Sequence, residues 1–136
     1  MEADDDDGTH GHILLLDDDR ALGGYLARAL SSGGYDVAYE LTAEVALLRV
    51  QAEQWDLLIT DVELPGMSGL ELLERVRETA PALPVAVLTG HPSVDYAVTA
   101  RCWAATEFLT KPVSRDELLA KAAELIAAGR VARGQD

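Results

Sequence analysis

An α/β fold, doubly wound, with five parallel strands each followed by a helix, is what this sequence predicts. Three observations carry the prediction. From residue 12 onward, short apolar runs alternate with segments whose apolar residues recur every three or four positions. The runs are nearly continuous in apolar character, as strands are when helices cover both faces of a parallel sheet. Finally, most of the runs end on a polar or charged residue, and in a parallel sheet those ends share one edge, where open α/β sheets bind their ligands.

The elements follow in order. The first strand is "HILLLD" (12–17), and Leu22, Leu26, Ala29 and Leu30 form the first helical face, which stops at Gly33 and Gly34. The second strand is "YDVAYE" (35–40), with Val45, Leu48 and Ala52 as the inward face of the second helix. "DLLITD" (56–61) is the third strand; the helix after it opens at Ser68–Gly69, turns Leu70, Leu73, Val76 and Arg77 inward, and ends before Pro81. "PVAVLTG" (84–90) is the fourth strand, and Val94, Ala97, Val98 and Arg101 mark the fourth helical segment after Pro92. "TEFLT" (106–110) is the fifth strand; Leu118, Leu119, Ala122, Leu125 and Ile126 form the last helical face, with Ser114 as N-cap and Glu117 closing a capping box. Residues 1–11 read as an acidic disordered tail, 12–130 as one domain, and 131–136 as a C-terminal tail or the start of a linker.

Composition narrows the function. At 136 residues the chain has the length of one domain, and at 49% apolar residues it can bury a core. No apolar run is long enough to span a bilayer. "MEADDDDGTHGH" has neither a basic start nor an apolar segment, so it does not read as a signal peptide. The single cysteine, Cys102, excludes an internal disulfide and fits a reducing cytoplasm, where it reads as an inert buried thiol. A net charge of −13 argues against direct nucleic-acid binding and suits cations and basic partners.

The strand ends hold the chemistry. "ILLLDDDR" runs four aliphatic residues into Asp17, Asp18 and Asp19. Two carboxylates ~5 Å apart at an effective dielectric of about 20 repel by on the order of 3 kcal/mol, and a divalent cation would offset that cost. Asp61 leaves the third strand, Thr89 the fourth and Lys111 the fifth, all at the same edge. Acids from neighbouring strand ends are hard oxygen ligands suited to Mg²⁺. A hydroxyl and an ammonium beside them suit phosphoryl oxygens, with an aspartate as attacking group. Helix capping alone accounts for one acid per helix, and Asp19 is read as a cap or a solvent-facing residue.

These residues resemble the receiver domain of bacterial two-component response regulators over about residues 12–128. The resemblance rests on "ILLLDDD", "DLLITDVELPGMSGLELLERVR", "VAVLTG" and "TEFLTKPV" in this order. It implies a flavodoxin-like sheet in the order 2-1-3-4-5. Asp61 is then the phosphoacceptor. Asp18, Asp61 and the backbone carbonyl of Glu63 hold Mg²⁺ (or Mn²⁺), with Asp17 acting through water. Thr89 bonds the phosphoryl group, Lys111 pairs with it, and Phe108 is the switch aromatic. The Lys111–Pro112 bond matches the family's cis peptide. Glu63 and His91 flank the path of the water that removes the phosphoryl group. The implied partners are a histidine kinase or histidine phosphotransfer protein upstream. Downstream stands a protein that docks on the face of the fourth helical segment, fifth strand and fifth helical segment. The chain would be a cytoplasmic switch rather than an enzyme with a separate substrate, standing alone or cut from a larger regulator.

Three positions depart from the family pattern. Ala104 stands where a glycine usually ends the fourth helix, Arg101 where an apolar residue is typical, and Trp103 near the output face. Two alternatives stay open at this point. One is a Mg²⁺-dependent phosphatase with an aspartate nucleophile, although that chemistry wants an aspartate where Glu63 stands. The other is a degenerate receiver serving only as a binding scaffold.

Overall fold

The apolar runs become strands because each places apolar side chains on both sides of one sheet. In the computed structural model, which describes residues 10–61, 64, 66–67, 69–90, 107–132 and 134, they are β1 (His12–Leu16), β2 (Asp36–Glu40), β3 (Leu57–Asp61), β4 (Val85–Thr89) and β5 (Glu107–Thr110). The helices are α1 (Arg20–Ser32), α2 (Ala43–Ala52), α3 (Gly69–Thr79) and α4 (Arg115–Ala132). All strand pairs are parallel, in the order β2-β1-β3-β4-β5, with Leu15 opposite Tyr39 and Ile59, and Asp61 opposite Leu88. The fourth predicted helical segment, with Cys102, Trp103, Ala104 and Arg101, lies outside the described residues.

Side-chain alternation divides the core in two. Ile13, Leu15, Leu57, Ile59, Ala86 and Leu88 pack against Leu26 and Leu30 of α1 and Leu118, Ala122 and Ile126 of α4. Leu14, Leu16, Leu58, Val85 and Val87 pack against Ala43, Ala46, Leu47 and Val50 of α2 and Leu72, Leu73 and Val76 of α3. Among the described residues, no helix is long and apolar enough to cross a membrane.

One predicted face is overturned. In α2 the buried residues are Ala43, Ala46, Leu47 and Val50, whereas Val45 and Leu48 are 41% and 64% exposed and Ala52 is also exposed. The ten residues of α2 carry two apolar stripes of helical period. The sheet takes the stripe that begins with two alanines, whose small side chains let the helix lie close to Leu14 and Leu16.

The other helix ends follow their local chemistry. Gly33 caps α1, donating its N–H to the carbonyls of Leu30 and Ser31. Arg77, placed on the inward face of α3, is half-buried and donates to the carbonyls of Ala80, Pro81 and Leu83, tying the helix end to the start of β4. The Ser114 hydroxyl accepts from the Glu117 N–H at 3.1 Å, capping α4, which continues to Ala132. At the other terminus, the His10 N–H donates to the Gly34 carbonyl at 2.9 Å and its ring meets Tyr35 edge-on.

Candidate functional site

The carboxyl edge of the sheet gathers the predicted polar groups. Asp17 follows β1 directly, its N–H bonded to the Glu40 carbonyl of β2 at 3.2 Å. Its side chain turns inward and is only 1% exposed, with Oδ1 accepting from the Asp19 N–H at 2.9 Å. Asp19 caps α1 by accepting from the N–H groups of Ala21 and Leu22, as one of its sequence readings expects. Asp18, between them, is exposed. Asp61 ends β3 and is buried, and Thr89 ends β4 and is also buried.

Lys111 comes from the far side. Its strand lies beyond β4, so its side chain must reach across about 10 Å of sheet to meet β3. Its Nζ donates to Asp61 Oδ2 at 2.6 Å and lies 3.5 Å from Asp17 Oδ2. Its backbone N–H donates to the Thr89 carbonyl at 2.7 Å, and the Lys111–Pro112 bond is cis. The ends of β1 and β3 thus meet the lysine that follows β5, and the end of β4 holds that lysine's backbone.

Burial pushes the Asp17 carboxyl above the usual carboxylate range, and the nearby Asp61 charge adds to this; the Asp19 N–H and Lys111 pull it back without cancelling it. For Lys111, burial works against the charge, but the Asp61 hydrogen bond and the charges of Asp17 and Asp61 outweigh it and raise the pKa. A carboxyl with a folded pKa above its unfolded value binds more protons in the native state. Its ionisation therefore penalises folding at neutral pH, and the penalty disappears as pH falls from the raised pKa to below the ordinary value. We expect Asp17→Asn to unfold at higher urea than wild type at pH 7 in EDTA. The gap should close in the acid arm, and a variant less stable than wild type at pH 7 would contradict the sign.

The donor set fits a hard divalent cation. One carboxylate oxygen each from Asp17, Asp18 and Asp61 lie within 4.8 Å of one another. Three hard oxygens this near one another suit such an ion, and the exposed Asp18 leaves a solvent side for the waters Mg²⁺ retains.

Glu63 and His91 lie outside the described residues. Phe108 is half-buried, opposite Val87, and packs on the α2–α3 side of the sheet. One residue beside the site went unread in the sequence. The Tyr39 hydroxyl, from β2, donates to the carbonyls of Asp17 at 2.9 Å and Asp19 at 3.3 Å, bracketing Asp18. A tyrosine in an edge strand and a glycine pair in the first helix are its only marks in the sequence, and nothing local joins them.

Comparison with known proteins identifies the family. The family profile of the response regulator receiver domain matches residues 13–123. The transcriptional regulatory protein FixJ of Bradyrhizobium diazoefficiens is 36% identical over 82% of this chain and 55% of its own. The response regulator MprA of Mycobacterium avium is 38% identical over 84% of this chain and 50% of its own. The chain thus spans about half the length of these two relatives. Among solved structures, a CheY-like receiver domain protein from Methanospirillum hungatei superposes with a TM-score of 0.86 at 30% identity, covering 89% of this chain and 97% of that one. The chemotaxis protein CheY4 of Vibrio cholerae superposes with a TM-score of 0.80 at 27% identity, covering 84% of this chain and 97% of that one. With a profile matching residues 13–123 and relatives 36% and 38% identical over more than four fifths of its length, this chain belongs to the response regulator receiver domain family.

Proposed function

We propose that the chain is a phosphorylatable signalling switch in which Asp61 accepts a phosphoryl group from a phosphohistidine on a partner kinase or phosphotransfer protein. The observation that carries this reading is the 2.6 Å contact of Lys111 with Asp61, beside two further acids at the same edge. A carboxylate oxygen of Asp61 attacks phosphorus in line, the P–N bond breaks, and its electron pair returns to the imidazole. Lys111 then follows the charge from Asp61 to a phosphoryl oxygen, and the Thr89 hydroxyl turns to donate to another. Asp18, Asp61 and the Glu63 carbonyl, with Asp17 through water, would hold Mg²⁺, which would supply positive charge against the phosphoryl oxygens. By the family resemblance, Glu63 and His91 would tune the water attack that reverses the reaction. The added charge shifts an existing balance of conformations through Thr89 and Phe108, and a downstream protein reads the face that includes β5 and α4. The setting is the cytoplasm.

A small phosphodonor followed by intact mass measurement tests the proposal. One phosphoryl adduct should form with Mg²⁺ and be lost in EDTA; no adduct at saturating Mg²⁺ would overturn it. Asp18→Ala removes one oxygen ligand and one charge, so calorimetric titration with Mg²⁺ should show affinity lower by about tenfold or more. Unchanged affinity would remove Asp18 from the metal site.

A further inference from the structure

Asp18 needs a defined backbone if its exposed carboxylate is to face Asp17 and Asp61, and the turn that carries it is held from β2 as well as by its own bonds to the start of α1. The Asp17 N–H is fixed by the Glu40 carbonyl at 3.2 Å, while the Asp17 carbonyl accepts the Tyr39 hydroxyl at 2.9 Å. The same hydroxyl lies 3.3 Å from the Asp19 carbonyl, which also receives the Gly23 N–H at 2.7 Å as a helical bond at the start of α1. The carbonyls on either side of Asp18 therefore share one donor.

The ring reaches this position only because residue 23 is glycine. Gly23 is a buried residue inside α1, and a Cβ built there would come to 2.2 Å of the Tyr39 hydroxyl oxygen and 2.3 Å of Cζ. Glycine in a helix interior costs about 1 kcal/mol relative to alanine, so its presence needs a return. The close approach of Tyr39 supplies one.

We propose that Tyr39 is a positioning residue for the acidic turn, with Gly23 as the seat that admits its ring, and that the hydroxyl sets the alignment of Asp17 and Asp18 for a divalent cation. This rests on the reading of those acids as a Mg²⁺ site. Tyr39→Phe keeps the ring and removes only the bridging donor. Two measurements on the full chain separate the claims. Without metal, amide exchange at residues 17–22 should rise by about tenfold in Tyr39→Phe while α3 is unchanged. Calorimetric titration with Mg²⁺ should then show affinity reduced by about tenfold. Wild type that binds no Mg²⁺ would overturn the metal reading, and the exchange data would still decide the role of Tyr39 in the turn. Tyr39→Phe with wild-type exchange and wild-type affinity would overturn the inference.

Gly23 adds an independent check. Gly23→Ala should lower the melting temperature in the wild-type background, where its methyl meets the ring. In a Tyr39→Ala background the same change should raise it, because the three atoms nearest to that methyl all belong to Tyr39 and the helix preference for alanine then acts. The same sign in both backgrounds would overturn the seat–ring pairing.

Discussion

Asp61→Asn should take up no phosphoryl group, whether offered by a small phosphodonor or by a phosphohistidine partner, and should stay folded. The amide has nearly the shape of the carboxylate but lacks an anionic oxygen able to form an acyl phosphate. Its carbonyl oxygen can still accept from Lys111, which holds Asp61 at 2.6 Å in the wild type. Removing one of three acids that share an edge also relieves repulsion, so metal-free stability should equal or exceed that of wild type. Loss of labelling therefore cannot be ascribed to unfolding. Intact mass measurement after incubation with phosphodonor and Mg²⁺ reads the outcome. A stoichiometric adduct of the acid-stable, base-labile kind in Asp61→Asn would show that another side chain is the acceptor.

Lys111→Met should have the largest effect on the fold of any change at the site. The Lys111 side chain is 19% exposed, and its ammonium lies 2.6 Å from Asp61 and 3.5 Å from Asp17, whose side chains are 10% and 1% exposed. Methionine replaces the aliphatic stem but leaves two largely buried carboxylates facing each other without the cation. Removing one partner of a buried ion pair costs about 3–5 kcal/mol. The lower end applies here, because the cluster opens to solvent at Asp18. Urea unfolding in EDTA measures the loss. Saturating Mg²⁺ should recover more stability in the variant than in wild type, because a cation that binds only the folded state stabilises it by mass action and here meets no competing ammonium. Equal stability of variant and wild type in EDTA would mean that Lys111 is not a structural counter-ion of the acids. An equal response to Mg²⁺ would mean that metal and lysine do not compete for the same charge. The variant should also be labelled far more slowly, since it lacks the group that follows the phosphoryl charge.

The two expectations differ in how they could be read from sequence. Asp61 and Lys111 stand at the ends of apolar runs, and a parallel sheet brings all such ends to one edge. Their arrival at one edge therefore follows from strand direction alone. That Lys111 reaches across β4 to Asp61, and lies nearer Asp61 than Asp17, depends on the strand order and on side-chain paths that no local pattern records.

The sequence by itself determined the number and position of the five strands, the cap at Ser114, the stop at Gly33 and the polar groups that end the strands at the carboxyl edge. Each depends on neighbours within a few residues, or on a two-residue or 3.6-residue period, and both are local physics. Tertiary structure alone decided which stripe of α2 faces the sheet and which strand secures the acidic turn. Val45, Leu48 and Ala52 fit a helical period as well as Ala43, Ala46, Leu47 and Val50 do, and the choice rests on how closely a helix can approach Leu14 and Leu16. The Tyr39 hydroxyl and Gly23 are brought together by the pairing of β2 with β1 and the return of α1 over that pair. Burial and contact across such distances are set by the whole packed chain, where free energy is shared among residues that the sequence keeps apart.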